Sequence, residues 1–369
     1  MAQPATALET ARILATSASV RPFGGRTKLD WGSAAPPPEV ELSTAGLNRI
    51  VAHNRGDLTA VLEAGVHLAD AQAEFARAGQ RLSVDPPDDR LEATVGGVAA
   101  AADSGPLRHR HGAIRDVILG VRVALPDGSV ARAGSNVIKN VAGYDLAKLM
   151  CGALGTLGVI TEITVRLHSL PQRTVTMIAR GHDLGRLTAA ARVIAQRPLQ
   201  LESLDLRWDG ADAGGCVLAR AGGRAAGEVA AAAAVMAHAA SLDVALVDDD
   251  DELWREQRAR QRAPVGMAVL RVSALPTALE RVLGAVPSGI ARAALGLSWL
   301  RIPADAAEVR RVRDALAPAA CVVLEAPRAL RETVDVWDVS GPAVELARRV
   351  KDRFDPRRTC NPGRHVGGI

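Results

Sequence analysis

A chain of 369 residues is more than twice the roughly 150 of an average domain, so two compact units are expected. Apolar residues make up 48% and charged residues 23%, which excludes disorder over most of the length. Nine aromatic residues are too few for a surface that stacks nucleobases, and they leave leucine, valine, isoleucine and alanine to build the core. The net charge of +4 is spread along the chain. Its densest point, Arg108-His109-Arg110-His111, is too small for a nucleic-acid duplex and suits an anionic small molecule.

The first twenty residues read as an amphipathic helix with Leu8, Ala11, Ile13 and Leu14 near one face. They lack the apolar centre of a secretory signal, and no stretch approaches 18 uninterrupted apolar residues, so neither export nor membrane spanning is expected. A turn-rich loop follows at Arg21 to Lys28, then a Pro/Ala linker at Ser33 to Pro38. Leu58 to Ala64 reads as a strand, Leu68 to Gly79 as a helix and Asp85 to Asp89 as a loop. Val117 to Leu125 and Ser129 to Ala133 form a hairpin across Pro126-Asp127-Gly128. Tyr144 to Met150 reads as a short helix, and alternation at Ile163, Val165 and Leu167 as a half-buried strand. Leu170-Pro171 closes this unit.

From about residue 172, helices rich in Ala and Arg dominate, among them Glu228 to Ala240 and Pro303 to Leu316. Strands at Ala268 to Val272 and Cys321 to Leu324 lie between them, which gives a second α+β unit. The acidic run Asp248 to Glu252 reads as a solvated helix start. Cys151, Cys216, Cys321 and Cys360 form no CxxC pair, which disfavours zinc and iron–sulfur sites and suits reduced thiols in a cytoplasmic protein.

Four glycine-punctuated segments could carry chemistry. In Pro22-Phe23-Gly24-Gly25-Arg26-Thr27-Lys28, a tight turn leaves successive N–H groups uncovered beside two cations, an anion-binding nest. The segment is neither a P-loop nor a GxGxxG fingerprint. The second runs from Thr94-Val95-Gly96-Gly97 to Ser104-Gly105, and the third comprises Lys139 to Asp145 with Gly152, Gly155 and Gly158. The fourth is Asn361-Pro362-Gly363-Arg364. Taken singly, each reads as readily as packing, a surface turn or a frayed tail. His109 and His111 would share a side if they lay on a strand, which suits a metal, but ring packing accounts for them better.

Together, in this order, the four segments resemble the FAD-binding domain of the vanillyl-alcohol-oxidase / p-cresol-methylhydroxylase (PCMH) type. The resemblance covers residues 5 to 171 and the last 20. It implies an α+β protein with a two-subdomain PCMH-type FAD-binding domain at 1–171. A smaller α+β cap domain follows at 172–335, and a tail at 336–369 returns to the flavin. It makes Pro22, Phe23, Gly24, Gly25, Arg26, Thr27 and Lys28 the pyrophosphate loop. Asp88, Asp89, Thr94, Gly96, Gly97, Ala101, Ser104 and Gly105 form the second flavin segment. Gly155, Thr156, Gly158, Val159 and Ile160 form the third, and Asn361 and Arg364 the returning tail. No histidine stands in the pyrophosphate loop, so the FAD is expected to be non-covalent.

Within the family, Ser104 to Asp116 and Lys139 to Asp145 are similar to the FAD-binding subunits of bacterial glycolate oxidases. That implies oxidation of glycolate, or another small 2-hydroxy acid, to the keto product. It also implies a complex with a larger FAD-containing catalytic subunit and an iron–sulfur subunit, cytoplasmic and peripheral to the inner face of the membrane through its partners. A free-standing FAD dehydrogenase of another alcohol or 2-hydroxy acid is the alternative, and a scaffold that has lost FAD conflicts with the intact glycine loops. Members that oxidise D-2-hydroxy acids carry an Arg and a Thr where this chain has Ile138 and Ala142, and a metal-binding His cluster in the second domain. Here that domain has only His182 and His238, widely spaced. The resemblance therefore implies flavin-binding residues without substrate residues, no metal site, and no assigned catalytic residue, Tyr144 included.

Overall fold

Alternating apolar positions condense into two antiparallel sheets in the computed structural model, which describes residues 1–87, 92–134 and 145–369. The first sheet has five strands in the order Ile50–Asn54, Thr59–Glu63, Val159–Arg166, Ile118–Ala124 and Val130–Gly134. The expected hairpin forms across Pro126 to Gly128, where Gly128 takes φ +89° and Asp127 accepts from the Ser129 amide at 2.9 Å. Helix Leu68–Ala76 buries Leu68, Ala71 and Phe75 against this core. Val159–Arg166 is more buried than its alternation suggests. It is the central strand, so Thr161 and Thr164 are covered too, and the Thr161 hydroxyl donates to Arg122 O at 3.1 Å. At the N-terminus, helix Ala7–Thr16 buries Thr10, Ala11 and Leu14 but leaves Leu8 exposed. Leu8 and Leu14 stand six residues apart, which turns them about 120° from one another.

The second sheet has eight strands in the order Asp243–Val247, Thr174–Gly181, Gly215–Gly222, Leu201–Trp208, Ser288–Arg292, Leu297–Pro303, Met267–Ser273 and Ala320–Glu325. The sequence shows helices here more readily than strands, because most of these strands are buried on both faces and lose their alternation. Helices Leu184–Ala195, Ala226–Ala239, Leu279–Gly284 and Ala306–Leu316 cover one face, with alanines such as Ala190, Ala230 and Ala233 in contact with it. Pro303 ends a strand and does not start a helix. The acidic run also differs from expectation. Asp250 is buried, accepting from the Thr176 hydroxyl at 2.6 Å and pairing with Arg220 at 2.6 Å, and only its neighbours are solvated.

The other face of the eight-stranded sheet meets the first unit. Val269, Ile290, Trp299 and Leu324 pack on Trp31, Ala101 and Leu154. Around this patch the contacts are polar. Glu202 is bonded by Arg81, lies 3.4 Å from both His111 and Arg110, and the His111 ring meets the His168 ring at a tilt, with centroids 4.5 Å apart. Helix Pro342–Phe354 then returns to the first core through Val350 and Phe354. On it, the fully buried Lys351 ammonium donates to Thr156 O at 2.6 Å, Asp355 Oδ2 at 2.7 Å and Cys360 O at 2.9 Å.

Lys351→Met leaves Asp355 buried without its cation, so urea unfolding should show a loss of about 3–5 kcal/mol. Burial, then the nearby His111 and Arg166, push His168 down to about 4, whereas an unfolded histidine titrates near 6.5. Between those values the unfolded chain holds the extra proton, so stability falls as pH falls. His168→Phe should therefore flatten the urea midpoint between pH 6.5 and 4, and an unchanged profile would refute this origin.

Candidate functional site

Strand Val20–Phe23 pairs in parallel with Val40–Ser43, so Pro22 and Phe23 belong to a strand and the loop proper begins at Gly24. Among the described residues, the backbone amides of Gly24, Gly25, Arg26, Thr27 and Lys28 have no acceptor. A Cβ on Gly24 would stand 2.0 Å from Thr94 Oγ1, and one on Gly25 1.6 Å from Glu92 O. The glycine pair thus seats the loop directly on the start of the second segment. Arg26 takes φ +58°, stacks over Phe23 at 3.7 Å and pairs with Glu41 at 2.8 Å. Hydrogen bonds from Arg26 and Arg21 hold the Glu41 carboxyl down at about 2.

The second segment opens with Thr94, which caps helix Val95–Ala101 by accepting from the Gly97 amide at 3.2 Å. A Cβ on Gly96 would reach Ala64 at 2.5 Å, so the helix start lies flat on the sheet. Beyond the helix, Asp103 accepts from the Ser104 amide at 2.9 Å and pairs with the buried Lys28 ammonium at 3.1 Å. In the third segment Leu154 and Gly155 both have positive φ, and a Cβ on Gly155 would meet Pro22 at 2.7 Å. From the tail, Asn361 Nδ2 donates to Leu154 O at 2.7 Å. Arg364 donates to Trp31 O at 2.9 Å and Lys28 O at 2.6 Å. Burial, with Arg21 and Arg331 adding, lowers the Arg364 guanidinium to about 10.

These pieces line a partly open cleft. Of the residues singled out in sequence, Pro22 to Lys28, Thr94, Gly96, Gly97, Ala101, Gly155, Gly158, Val159, Ile160 and Arg364 line it. Ser104, Gly105, Thr156 and Asn361 stand behind the lining. Thr156 and Asn361 brace it by hydrogen bonds, and Gly105 lies where a Cβ would be 1.8 Å from Asp85 O. Asp88 and Asp89 lie outside the described residues, as do Ile138, Ala142 and Tyr144. Leu154, beside Gly155 in the third segment, lines the cleft too. Sequence reasoning missed Leu29, Thr44, Ala64, Ala100, Met150 and Ala153. Leu29 adjoins the loop already singled out, whereas Thr44 and Ala64 carry no local signal.

The strand reading of His109 and His111 is corrected, because both lie on helix Arg108–His111, where residues two apart point to different sides. His111 meets His168 and Glu202 instead. Among the described residues no group of three or more His, Cys, Asp or Glu could hold a metal, and all four cysteines are free.

Residues 1–134 match the family model described as "FAD binding domain". The chain is 39% identical over 128 residues to glycolate oxidase subunit GlcE of Escherichia coli, covering 35% of this chain and 37% of that one. It is 35% identical over 157 residues to a mitochondrial D-lactate dehydrogenase [cytochrome] of Arabidopsis thaliana, covering 42% and 27%. With glycolate oxidase subunit GlcD of Bacillus subtilis it shares 30% over 204 residues, covering 53% and 43%. The matched part thus spans between a quarter and a half of these relatives. A solved alkyldihydroxyacetonephosphate synthase superposes with TM-score 0.72 at 15% identity, covering 98% of this chain and 76% of that one, and shares its fold. Residues 1–134 therefore hold an FAD binding domain, in a chain that is similar to glycolate oxidase subunits and D-lactate dehydrogenases.

Proposed function

We propose that the chain is an FAD-dependent oxidoreductase subunit that takes part in oxidising glycolate, or another small 2-hydroxy acid, to the keto product. In this reading electrons leave through a larger FAD-containing subunit and an iron–sulfur subunit. The observation that carries it is the run of five unpaired amides from Gly24 to Lys28, set over a glycine-lined cleft inside the matched FAD domain. Unpaired amides at Gly24 and Gly25, which carry no side chain of their own, fit a diphosphate, and Arg364 adds positive charge beside them. The glycines of the third segment let the backbone approach the other end of the cofactor. Bound there, FAD would supply the two-electron acceptor for the hydride on the carbinol carbon.

The described residues act by holding and excluding. Asp103 fixes Lys28, Asn361 and Lys351 fix the 154–156 turn, and Trp31 and Ala101 close the cleft toward the second unit. No histidine or cysteine is among the described lining residues, which supports non-covalent FAD. We assign 1–171 to the FAD-binding domain, 172–335 to the cap and 336–369 to the returning segment. No helix among the described residues is long and apolar enough to cross a membrane. A cytoplasmic place at the inner membrane face, held by partners, belongs to the same proposal.

The purified protein should be yellow and should release its flavin into the supernatant on acid precipitation. Gly25→Ala, whose methyl would overlap Glu92 O, should purify with little or no flavin. Flavin in the pellet, or a fully loaded variant, would refute the assigned seat. Mixed anaerobically with excess glycolate or D-lactate, the isolated holo-protein should bleach orders of magnitude more slowly than the assembled complex, because a missing base or metal costs that much. Rapid stoichiometric bleaching by the isolated chain would establish a free-standing dehydrogenase instead.

A further inference from the structure

Helix Asp251–Ala259 of the second unit ends in a turn whose next residues reach across the seam onto two of the glycine-punctuated segments. Gln261, which is buried, donates from Nε2 to Ser104 O at 3.0 Å. Arg262 donates from Nη2 to Thr27 O at 3.0 Å, within the loop that lines the cleft. Its Nε stands 3.1 Å from Glu325 Oε2, at the end of the edge strand Ala320–Glu325. The turn is itself held from the sheet. Arg301 donates to Arg262 O at 3.1 Å and to Ala259 O at 3.0 Å. Gln261 Oε1 accepts from the fully buried Arg292, which pairs with Asp205 at 2.6 Å.

Thr27 O shares its peptide unit with the Lys28 N–H, and this unit is trans. In a trans peptide the two groups point opposite ways. A guanidinium on the oxygen therefore turns the N–H away from the second unit, and Lys28 N–H is one of the five loop amides without a protein acceptor. A cation on the oxygen also polarises the peptide and makes its N–H a stronger donor. Arg262 does not line the cleft itself, so it acts from the far side of the peptide. The following carbonyl, Lys28 O, is taken at 2.6 Å by Arg364 of the returning tail. Two successive carbonyls of the loop are thus each held by an arginine, one from the tail and one from the second unit. A contact that served only to dock the units could end on a carboxylate along the seam, as Arg81 does on Glu202 and Arg331 on Asp30.

We propose that Arg262 is a positioning residue for the cofactor seat: from the second unit it fixes the Thr27–Lys28 peptide so that the Lys28 amide is presented to a diphosphate. The inference rests on the reading that the Gly24 to Lys28 loop holds the diphosphate of FAD. It makes the seat a joint product of both units, although the lining residues belong to the first unit and the tail. Glu325 holds the guanidinium and Arg301 the backbone that carries it, so the second unit delivers the donor already oriented. Because one guanidinium both docks the units and orders the loop, diphosphate binding and docking strengthen each other.

The test uses the full chain freed of flavin, as wild type, Arg262→Met, Arg262→Gln, Arg262→Lys and Arg81→Met. FAD affinity is read from quenching of flavin fluorescence, and inorganic pyrophosphate affinity from the saturable rise in Tm. Both are compared with the Tm of the unliganded protein. The two neutral Arg262 variants should bind FAD and pyrophosphate about tenfold more weakly, the weight of one charge-assisted hydrogen bond. Arg262→Lys keeps a cationic donor and should recover part of that loss. Arg81→Met breaks a seam contact that ends on a side chain, so it should lower Tm without weakening either ligand. Neutral variants that keep wild-type pyrophosphate affinity, or an equal loss in Arg81→Met, would overturn the assignment and leave Arg262 a docking contact. A wild type that binds neither ligand would overturn it as well. Arg262-dependent pyrophosphate binding in a chain that takes no FAD would refute the flavin reading and leave the role of Arg262 standing.

Discussion

A single buried ammonium holds the cleft together. Lys351 is fully enclosed and its three donors are met by Thr156 O, Asp355 Oδ2 and Cys360 O. Asp355 in turn accepts from the amides of Thr359 and Cys360 at 2.9 and 2.6 Å, which fixes the tail as it leaves the last long helix. That tail bonds both sides of Val20, with Val20 N donating to Thr359 O and Asn361 N to Val20 O, each at 2.8 Å. Val20 opens the strand that delivers the Gly24 to Lys28 loop. The far C-terminus, the 154–156 turn and the N-terminal loop therefore share one electrostatic anchor. A buried ion pair contributes little net stability compared with an apolar replacement, but it specifies geometry, because its partners satisfy each other in one arrangement.

The two faces of the eight-stranded sheet follow different physics. Toward its helices the sheet presents small and aliphatic side chains, and alanines on helix Ala226–Ala239 let the layers approach closely. Toward the FAD binding domain, a small apolar patch around Trp299 is ringed by charges and amides. Gln261 reaches Ser104 O at 3.0 Å, Arg262 reaches Thr27 O at 3.0 Å, and Arg331 meets Asp30 at 2.9 Å. Such a seam is held by directional contacts, and two of them end on the backbone of the segments that frame the cleft. The orientation of the second unit is thereby tied to the shape of the first.

The glycine loops, the 118–134 hairpin and helices Ala7–Thr16 and Leu68–Ala76 were legible in the sequence because each rests on local chemistry, whereas helix Val95–Ala101 was hidden behind its two glycines and read as turns. Turn residues punctuate the chain, and apolar spacing matches one period. Three things were not legible, for separate reasons. Strands buried on both faces, such as Leu201–Trp208, lack alternation and vanish into an Ala-rich background. Asp250 sits in a run that looks solvated, and only the cross-strand placement of Arg220 and Thr176 explains its burial. Lys351 is a single basic residue in an ordinary pattern, enclosed by groups four to nearly two hundred residues away.

Donors without an acceptor set the cleft apart from the rest of the molecule. Among the described residues five successive backbone amides have no protein acceptor, and in a partly enclosed place each such donor opposes folding unless something accepts from it. A sequence selected for stability alone would fill this place with partners, as it does around Asp250 and Lys351. Satisfaction elsewhere and deficit here are what the proposed FAD seat would require, since on that reading the diphosphate would accept from these amides while Asp103 holds the Lys28 side chain at the edge of the loop.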